Sequence, residues 1–165
     1  MIIRQAQMAD FDAIYAIELE NFSPEEAISR KILAKHIEKI SSTFLVAEKD
    51  GKILGYLEGP VRPERYLKDI SFTEDVGDYS YLAGGFISVT SLSISKEAQG
   101  LGVGKALLDT MKEIAIADER HGINLTCHDY LIAYYEKHGF VNEGPSSSTY
   151  ADEVWFDMVW ENPQI

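Results

Sequence analysis

Three glycines at alternate positions, entering an amphipathic helix, constrain this chain more than any other feature. The stretch reads Ser91-Leu92-Ser93-Ile94, then Gln99-Gly100-Leu101-Gly102-Val103-Gly104-Lys105-Ala106-Leu107-Leu108. It predicts a strand, a short turn and a helix. Such a turn presents successive backbone N–H groups at a helix N-terminus, where the dipole suits a phosphate or pyrophosphate. Glycine lets an anion approach with no Cβ in the way. A turn serving chain direction alone is the plainer reading, and three alternate glycines before a good helix weigh against it.

Two nucleotide-binding patterns fail on counting. A P-loop needs Gly, four residues, then Gly-Lys-Ser/Thr. Ending at Gly104-Lys105, it meets Gln99 where glycine is required and Ala106 where Ser or Thr is required. A Gly-x-Gly-x-x-Gly dinucleotide fingerprint meets Lys105 if begun at Gly100 and Leu107 if begun at Gly102. Its strand also comes too late in the chain to open a parallel βαβ unit.

Composition narrows the partners. With 15 basic and 27 acidic residues the net charge is −12, which repels nucleic acid and anionic membranes and suits a cationic small molecule or simple solubility. The single cysteine, Cys127, excludes an intramolecular disulfide and argues against a cysteine-built metal site, so no metal is expected. No stretch approaches the roughly 18 apolar residues that span a bilayer. Met1-Ile2-Ile3-Arg4-Gln5 shows no secretory pattern, so a cytoplasmic location is expected. At 165 residues and 45% apolar content, residues 1–165 read as one domain with a full core.

Along the chain, Ile2–Ala6 predicts a strand and Asp10 a cap for a helix through Leu19. Ser23-Pro24-Glu25-Glu26 has the form of a capping box, with a helix carrying Ile28, Ile32, Leu33, His36, Ile37 and Ile40. Thr43–Ala47 and Ile53–Glu58 alternate around Asp50-Gly51, a hairpin signal. Residues 60–85 read as a long polar connection. Phe86–Ile94 predicts one strand, Gly102–Arg120 a helix, and Ile123–Cys127 a short strand. A helix from Asp129 ends at Gly139, and two further strands follow. The order is βααββ–loop–βαβαββ, a mixed α/β fold.

Gln99-x-x-Gly102-x-Gly104 resembles the pyrophosphate-binding signature of the GCN5-related N-acetyltransferase (GNAT) superfamily, and Tyr135-Glu136-Lys137-His138-Gly139-Phe140 resembles that family's Tyr-x-x-x-Gly-Phe element. The element order agrees, so the likeness spans nearly the whole chain. Leu125–Asp129, the Tyr135–Phe140 run, Gly144-Pro145-Ser146 and the connection ending Gly84-Gly85 look like the arylalkylamine (serotonin) N-acetyltransferase branch. That branch carries a His-x-His pair where this sequence has Ser88 and Thr90, neither a base at neutral pH.

The resemblance implies a GNAT-like acyl-CoA N-acyltransferase fold: a twisted, mostly antiparallel sheet with helices on both faces. It implies acetyl-CoA as co-substrate and a small-molecule amine as acceptor, with a homodimer left open. Gln99, Gly100, Leu101, Gly102, Val103, Gly104 and Lys105 would hold the pyrophosphate, and the backbone of Leu92, Ser93 and Ile94 the pantetheine arm. Tyr135 would be the general acid toward the departing thiolate, because a phenol is protonated at pH 7. Tyr134, about 100° away around the helix, is expected to face away from the cleft. Phe22, Ser23, Ser88 and Thr90 would lie at the acceptor, with Tyr66, Phe72, Tyr79, Tyr81 and 146–150 around it. Glu20, Glu25, Glu26 and His128 are alternative bases, each with a structural role to weigh against it. A peptide Nα- or lysine-acetyltransferase and a non-catalytic CoA-binding module are the rival readings.

Overall fold

Period-two alternation in 44–47 puts Phe44 and Val46 on one side of a strand and Leu45 and Ala47 on the other, and all four are buried. A strand apolar on both sides needs a layer over each, and the computed structural model, which describes residues Met1–Ile165, supplies two. β1 (Ile2–Gln5), β2 (Phe44–Lys49) and β3 (Lys52–Glu58) form an antiparallel group, with α1 (Phe11–Asn21) and α2 (Arg30–Lys39) over one face. There Phe44, Val46 and Tyr56 meet Ile14, Ile17, Leu33, Ile37 and Ile40. On the opposite face Leu45, Ala47 and Leu57 meet α3 (Val103–Ala117) through Val103, Leu107, Leu108, Met111 and Ala115.

The remaining elements are β4 (Val61–Arg62), β5 (Phe86–Val89), β6 (Ser91–Ile94), β7 (Gly122–Cys127), α4 (Ile132–Lys137), β8 (Val141–Pro145) and β9 (Phe156–Glu161). They make two sheets, ordered β1-β2-β3-β6 and β4-β5-β7-β9-β8. The expected strand 86–94 is therefore two strands. β5 runs parallel to β7, from Phe86 opposite Gly122 to Val89 opposite Leu125. Past Thr90 the chain leaves β7 and pairs antiparallel with β3, from Ser91 opposite Glu58 to Ile94 opposite Gly55.

The joint has a close backbone crossing. Ser88 N–H donates to Pro60 O at 2.7 Å and Thr90 N–H to Glu58 O at 2.8 Å. A Cβ on Gly59 would lie 1.9 Å from Ser88 O, so only glycine passes there. β6 and β7 diverge beyond this joint and leave a wedge between the sheets.

Three local expectations differ from the structure. The second helix starts at Arg30, not after Ser23: its cap is Ser29, whose hydroxyl accepts from Ile32 N–H at 3.2 Å. Residues 24–26 form turns, which frees Glu26 from any capping box. Asp10 does not cap α1 with its side chain: its carboxylate accepts from Arg4 at 2.8 and 2.9 Å and from Gln7 N–H at 2.8 Å, which closes the preceding 3₁₀ turn Met8–Asp10 instead. The 60–85 connection contains β4 and a short 3₁₀ turn at Asp69–Phe72.

Candidate active site

The wedge opens into one cleft of about 900 Å³, bordered by α1, β6, the 99–105 turn, α4 and three loops. Its one end is built from backbone. Gly100 and Gly102 adopt φ of +80° and +78°, the left-handed region that favours glycine. An added Cβ at either would meet nothing within 4 Å, so the turn's shape, not crowding, demands glycine there. At Gly104 the reason differs: a Cβ would lie 2.2 Å from the Tyr134 hydroxyl. The first helical bond is Ala106 N–H to Gly102 O at 3.0 Å, and the N–H groups of 100–105 have no backbone acceptor. Six successive donors at the start of α3 make a cradle for an anion.

β6 pairs only with β3, so its other edge faces the cleft along Ser91–Ile94. Asn21 Nδ2 donates to Ile94 O and to the Ser93 hydroxyl, both at 2.8 Å, which fastens α1 to this strand. Lys105 and Lys137 border the glycine-turn end. The Lys105 ammonium is paired with Asp109 at 2.6 Å and largely exposed.

Charge reverses at the other end, where Glu18, Glu26 and Glu58 line the cleft. Glu18 is buried on α1. Its Oε2 accepts from Ile28 N–H at 2.9 Å, and its Oε1 accepts from the Tyr56 hydroxyl. The Ser91 hydroxyl sits 3.3 Å from that oxygen and 3.1 Å from the Tyr56 hydroxyl. Burial, reinforced by the charge of Glu58, raises the Glu18 carboxyl above its usual range despite these donors.

Glu58 has a different company. Its Oε2 lies 2.9 Å from His36 Nδ1, and its Oε1 accepts from the Thr90 hydroxyl. His36 Nε2 lies 2.9 Å from Thr73 O, which can only accept, so Nε2 carries a hydrogen. Burial alone would lower the imidazolium; the Glu58 charge, its hydrogen bond and the Thr73 carbonyl outweigh it and raise His36. Both side chains are fully buried, so this is an ion pair beneath the cleft floor.

Aromatic groups wall the same end. Phe72 tilts against Tyr150 with ring centroids 4.4 Å apart, and His128 stacks between Trp155 at 4.3 Å and Tyr130 at 5.3 Å. Their loops are tied together. The Tyr150 hydroxyl donates to Glu26 O at 3.0 Å, His128 Nε2 lies 3.4 Å from Glu26, and the Ser148 hydroxyl donates to Asp69 at 2.7 Å.

Tyr135 projects from α4 into the cleft between Cys127 and Phe140, and no protein hydrogen bond stabilises its phenolate. Burial pushes the phenol well above its ordinary value, so it holds its proton at neutral pH. Burial also pushes the neighbouring Cys127 thiol up to about 12, which makes it inert.

The family model described as "Acetyltransferase (GNAT) family" matches residues 11–140. The chain belongs to the GNAT family. Its matched span contains the glycine turn, the three cleft carboxylates and Tyr135. An "Uncharacterized N-acetyltransferase MJ1530" from Methanocaldococcus jannaschii is 31% identical over 112 residues, 68% of this chain and 57% of that relative. The chain thus spans little more than half of that relative's length. An "N-alpha-acetyltransferase" of Sulfurisphaera tokodaii is 26% identical over 91% of this chain and 86% of its own length. Among solved structures, Chaetomium thermophilum Naa20 in complex with a bisubstrate analogue superposes with a TM-score of 0.72 at 18% identity, covering 99% of this chain and 88% of that one. It shares the GNAT fold.

Placement of the expected residues follows from these elements. Leu92, Ser93, Ile94, Gln99, Gly100, Gly102, Val103, Gly104, Lys105, Tyr135, Phe22 and Thr90 all border the cleft; Leu101 and Ser23 point to solvent. Ser88 lies elsewhere: it is wholly buried, its hydroxyl unpartnered, because it sits at the backbone crossing with Gly59 and Pro60, before the chain leaves β7 at Thr90. Tyr134 does not face away. Both tyrosines border the cleft, their rings edge-on at 87° and 5.1 Å, because the wedge wraps the side of α4. Of the aromatics on the 60–85 connection only Phe72 arrives, joined by Tyr150 from 146–150; Tyr66 bonds Glu143 at 2.8 Å and Tyr79 stacks on Arg62. Glu18, Glu58 and His36 were not anticipated as a site. Glu18 shares the helical stripe of Ile14 and Asn21, and Glu58 shares the strand face of Tyr56, so each signal existed as a polar residue on a core-facing position.

Proposed function

We propose that residues 1–165 act as one catalytic domain that transfers the acetyl group of acetyl-CoA to the primary amine of a small molecule, both substrates being bound together. One observation carries this reading. A single cleft joins a cradle of free amides with two lysines to an end of aromatic rings and carboxylates. The first end suits a pyrophosphate, the β6 edge suits the amides of a pantetheine arm, and the second end suits an ammonium group on an aromatic or aliphatic body. Holding both reactants in one cleft supplies much of the rate through proximity. Tyr135, buried and protonated, is placed to give a proton to the departing thiolate. An arylalkylamine fits the wall formed by Phe72, Tyr150 and Trp155. The single buried thiol, with no disulfide, fits a reducing compartment such as the cytoplasm.

A second reading, acetylation of a peptide α-amine, is favoured by the relative named N-alpha-acetyltransferase. It asks for a peptide path at the acceptor end. The links from Tyr150 to Glu26 and from Ser148 to Asp69 tie together the loops bounding that end, which favours a small acceptor.

The deciding experiment measures free CoA thiol released from acetyl-CoA with phenethylamine, spermidine, amino acids and short peptides in parallel. Release with phenethylamine is the expected result. Release with peptides alone selects the second reading. Acetyl-CoA binding by calorimetry with no release would leave a CoA-binding module.

A further inference from the structure

Two buried carboxylates share the acceptor end, and their surroundings assign them different work. This inference rests on the acetyl-transfer reading. We propose that Glu18 accepts the proton of the acceptor ammonium, while Glu58 serves as a fixed anion held by His36. Glu58 has both oxygens engaged, one by a cationic imidazole 2.9 Å away and one by the Thr90 hydroxyl.

Glu18 has only neutral donors: Ile28 N–H, the Tyr56 hydroxyl and the Ser91 hydroxyl. The titratable groups acting on it are Tyr56 and Glu58 from β3, with Tyr150 from the 146–155 loop on the opposite side, and none brings a positive charge to its carboxylate. Its ionised form therefore has no positive partner at the wall of the cleft. An ammonium is its missing counter-ion. Once the pair is shut away from water, the neutral form, carboxylic acid plus amine, is favoured over two buried charges. Ser91 is the first residue of β6, so Glu18 adjoins the start of the strand edge assigned to the pantetheine arm.

The proton balance closes. R–NH₃⁺ gives one proton to Glu18. The free amine forms the C–N bond at the acetyl carbon and the C–S bond breaks. Tyr135 gives its proton to the thiolate, and the second nitrogen proton replaces it on the phenol. Glu18 then releases its proton to solvent.

Phenethylamine is the probe acceptor. The wild-type kcat/KM should rise with pH through the raised Glu18 ionisation. Glu18→Gln should lower kcat/KM by about 10²–10⁴ and abolish that rising limb, with acetyl-CoA affinity unchanged by calorimetry. Tyr56→Phe, which removes one donor from the carboxylate, should move the limb to higher pH. Glu58→Gln should keep a rising limb. A limb that survives in Glu18→Gln, with turnover within about threefold of wild type, overturns the proposal.

A second arm needs no turnover. N,N,N-trimethylphenethylammonium carries the charge but has no proton to give. Its binding should lower the Glu18 ionisation seen by carboxyl ¹³C NMR and should weaken about tenfold or more in Glu18→Gln. If no thiol is released, acetyl transfer to this amine fails, and this arm alone decides. An ordinary Glu18 titration with probe affinity unchanged in Glu18→Gln overturns the role of Glu18.

Discussion

The two ends of the cleft are made of different material. The glycine-turn end offers backbone amides from 100–105, the β6 edge and the lysines Lys105 and Lys137. The opposite end offers side chains: Glu18, Glu26 and Glu58 with Phe72, Tyr150 and Trp155, drawn from α1, β3 and three separate loops. All carboxylates lining the cleft lie at one end and both lysines at the other. A backbone site depends on conformation, so it tolerates exchange of most side chains and fails when a φ angle is lost. A side-chain site depends on individual groups and their partners, so single replacements there are costly. Substitutions can thus change the side-chain end while the backbone end keeps its shape.

Removing His36 should strike hardest at the side-chain end. His36→Asn leaves Glu58 buried without its counter-charge and should cost about 3–5 kcal/mol of stability, read by urea unfolding. The pH dependence has a definite sign. The folded His36 ionisation lies above its ordinary value of 6.5, so its stabilisation is complete below about pH 6.5 and fades as pH rises through the raised value. The variant should lose that slope. An unchanged slope would show that the ion pair does not organise this end.

Tyr135 belongs to neither charged end and isolates chemistry from binding. Tyr135→Phe should lower kcat by about 10²-fold while acetyl-CoA affinity stays constant, because only the proton donor is removed. Equal losses in both would make Tyr135 a packing residue.

The smallest effect is expected at the backbone end. Gly102→Ala meets no atom within 4 Å and loses only the left-handed conformation, about 1–2 kcal/mol. Acetyl-CoA affinity should fall about tenfold by calorimetry, with the acceptor KM unchanged. A larger loss of stability with intact affinity would mean that the turn serves the fold alone.

The glycine spacing 100–102–104, the Tyr135–Phe140 element and the alternation of 44–47 were legible in the amino-acid sequence. Each is a local pattern: a φ requirement, a helix end, a period of two. They sufficed for the GNAT fold and for the backbone end of the cleft. Three things needed the tertiary structure. Strand 86–94 divides at Thr90 because two strand runs cross at Gly59, and a crossing between residues 29 positions apart leaves no local mark. The helix start moved from Ser23 to Ser29 because two serines had similar capping chemistry and packing chose between them. The carboxylates of the side-chain end were hidden because Glu18, Glu58 and His36 each read as one polar residue in an apolar pattern. They come together only when α1, α2 and β3 meet, because the company of a buried ionisable group is set by distance in space.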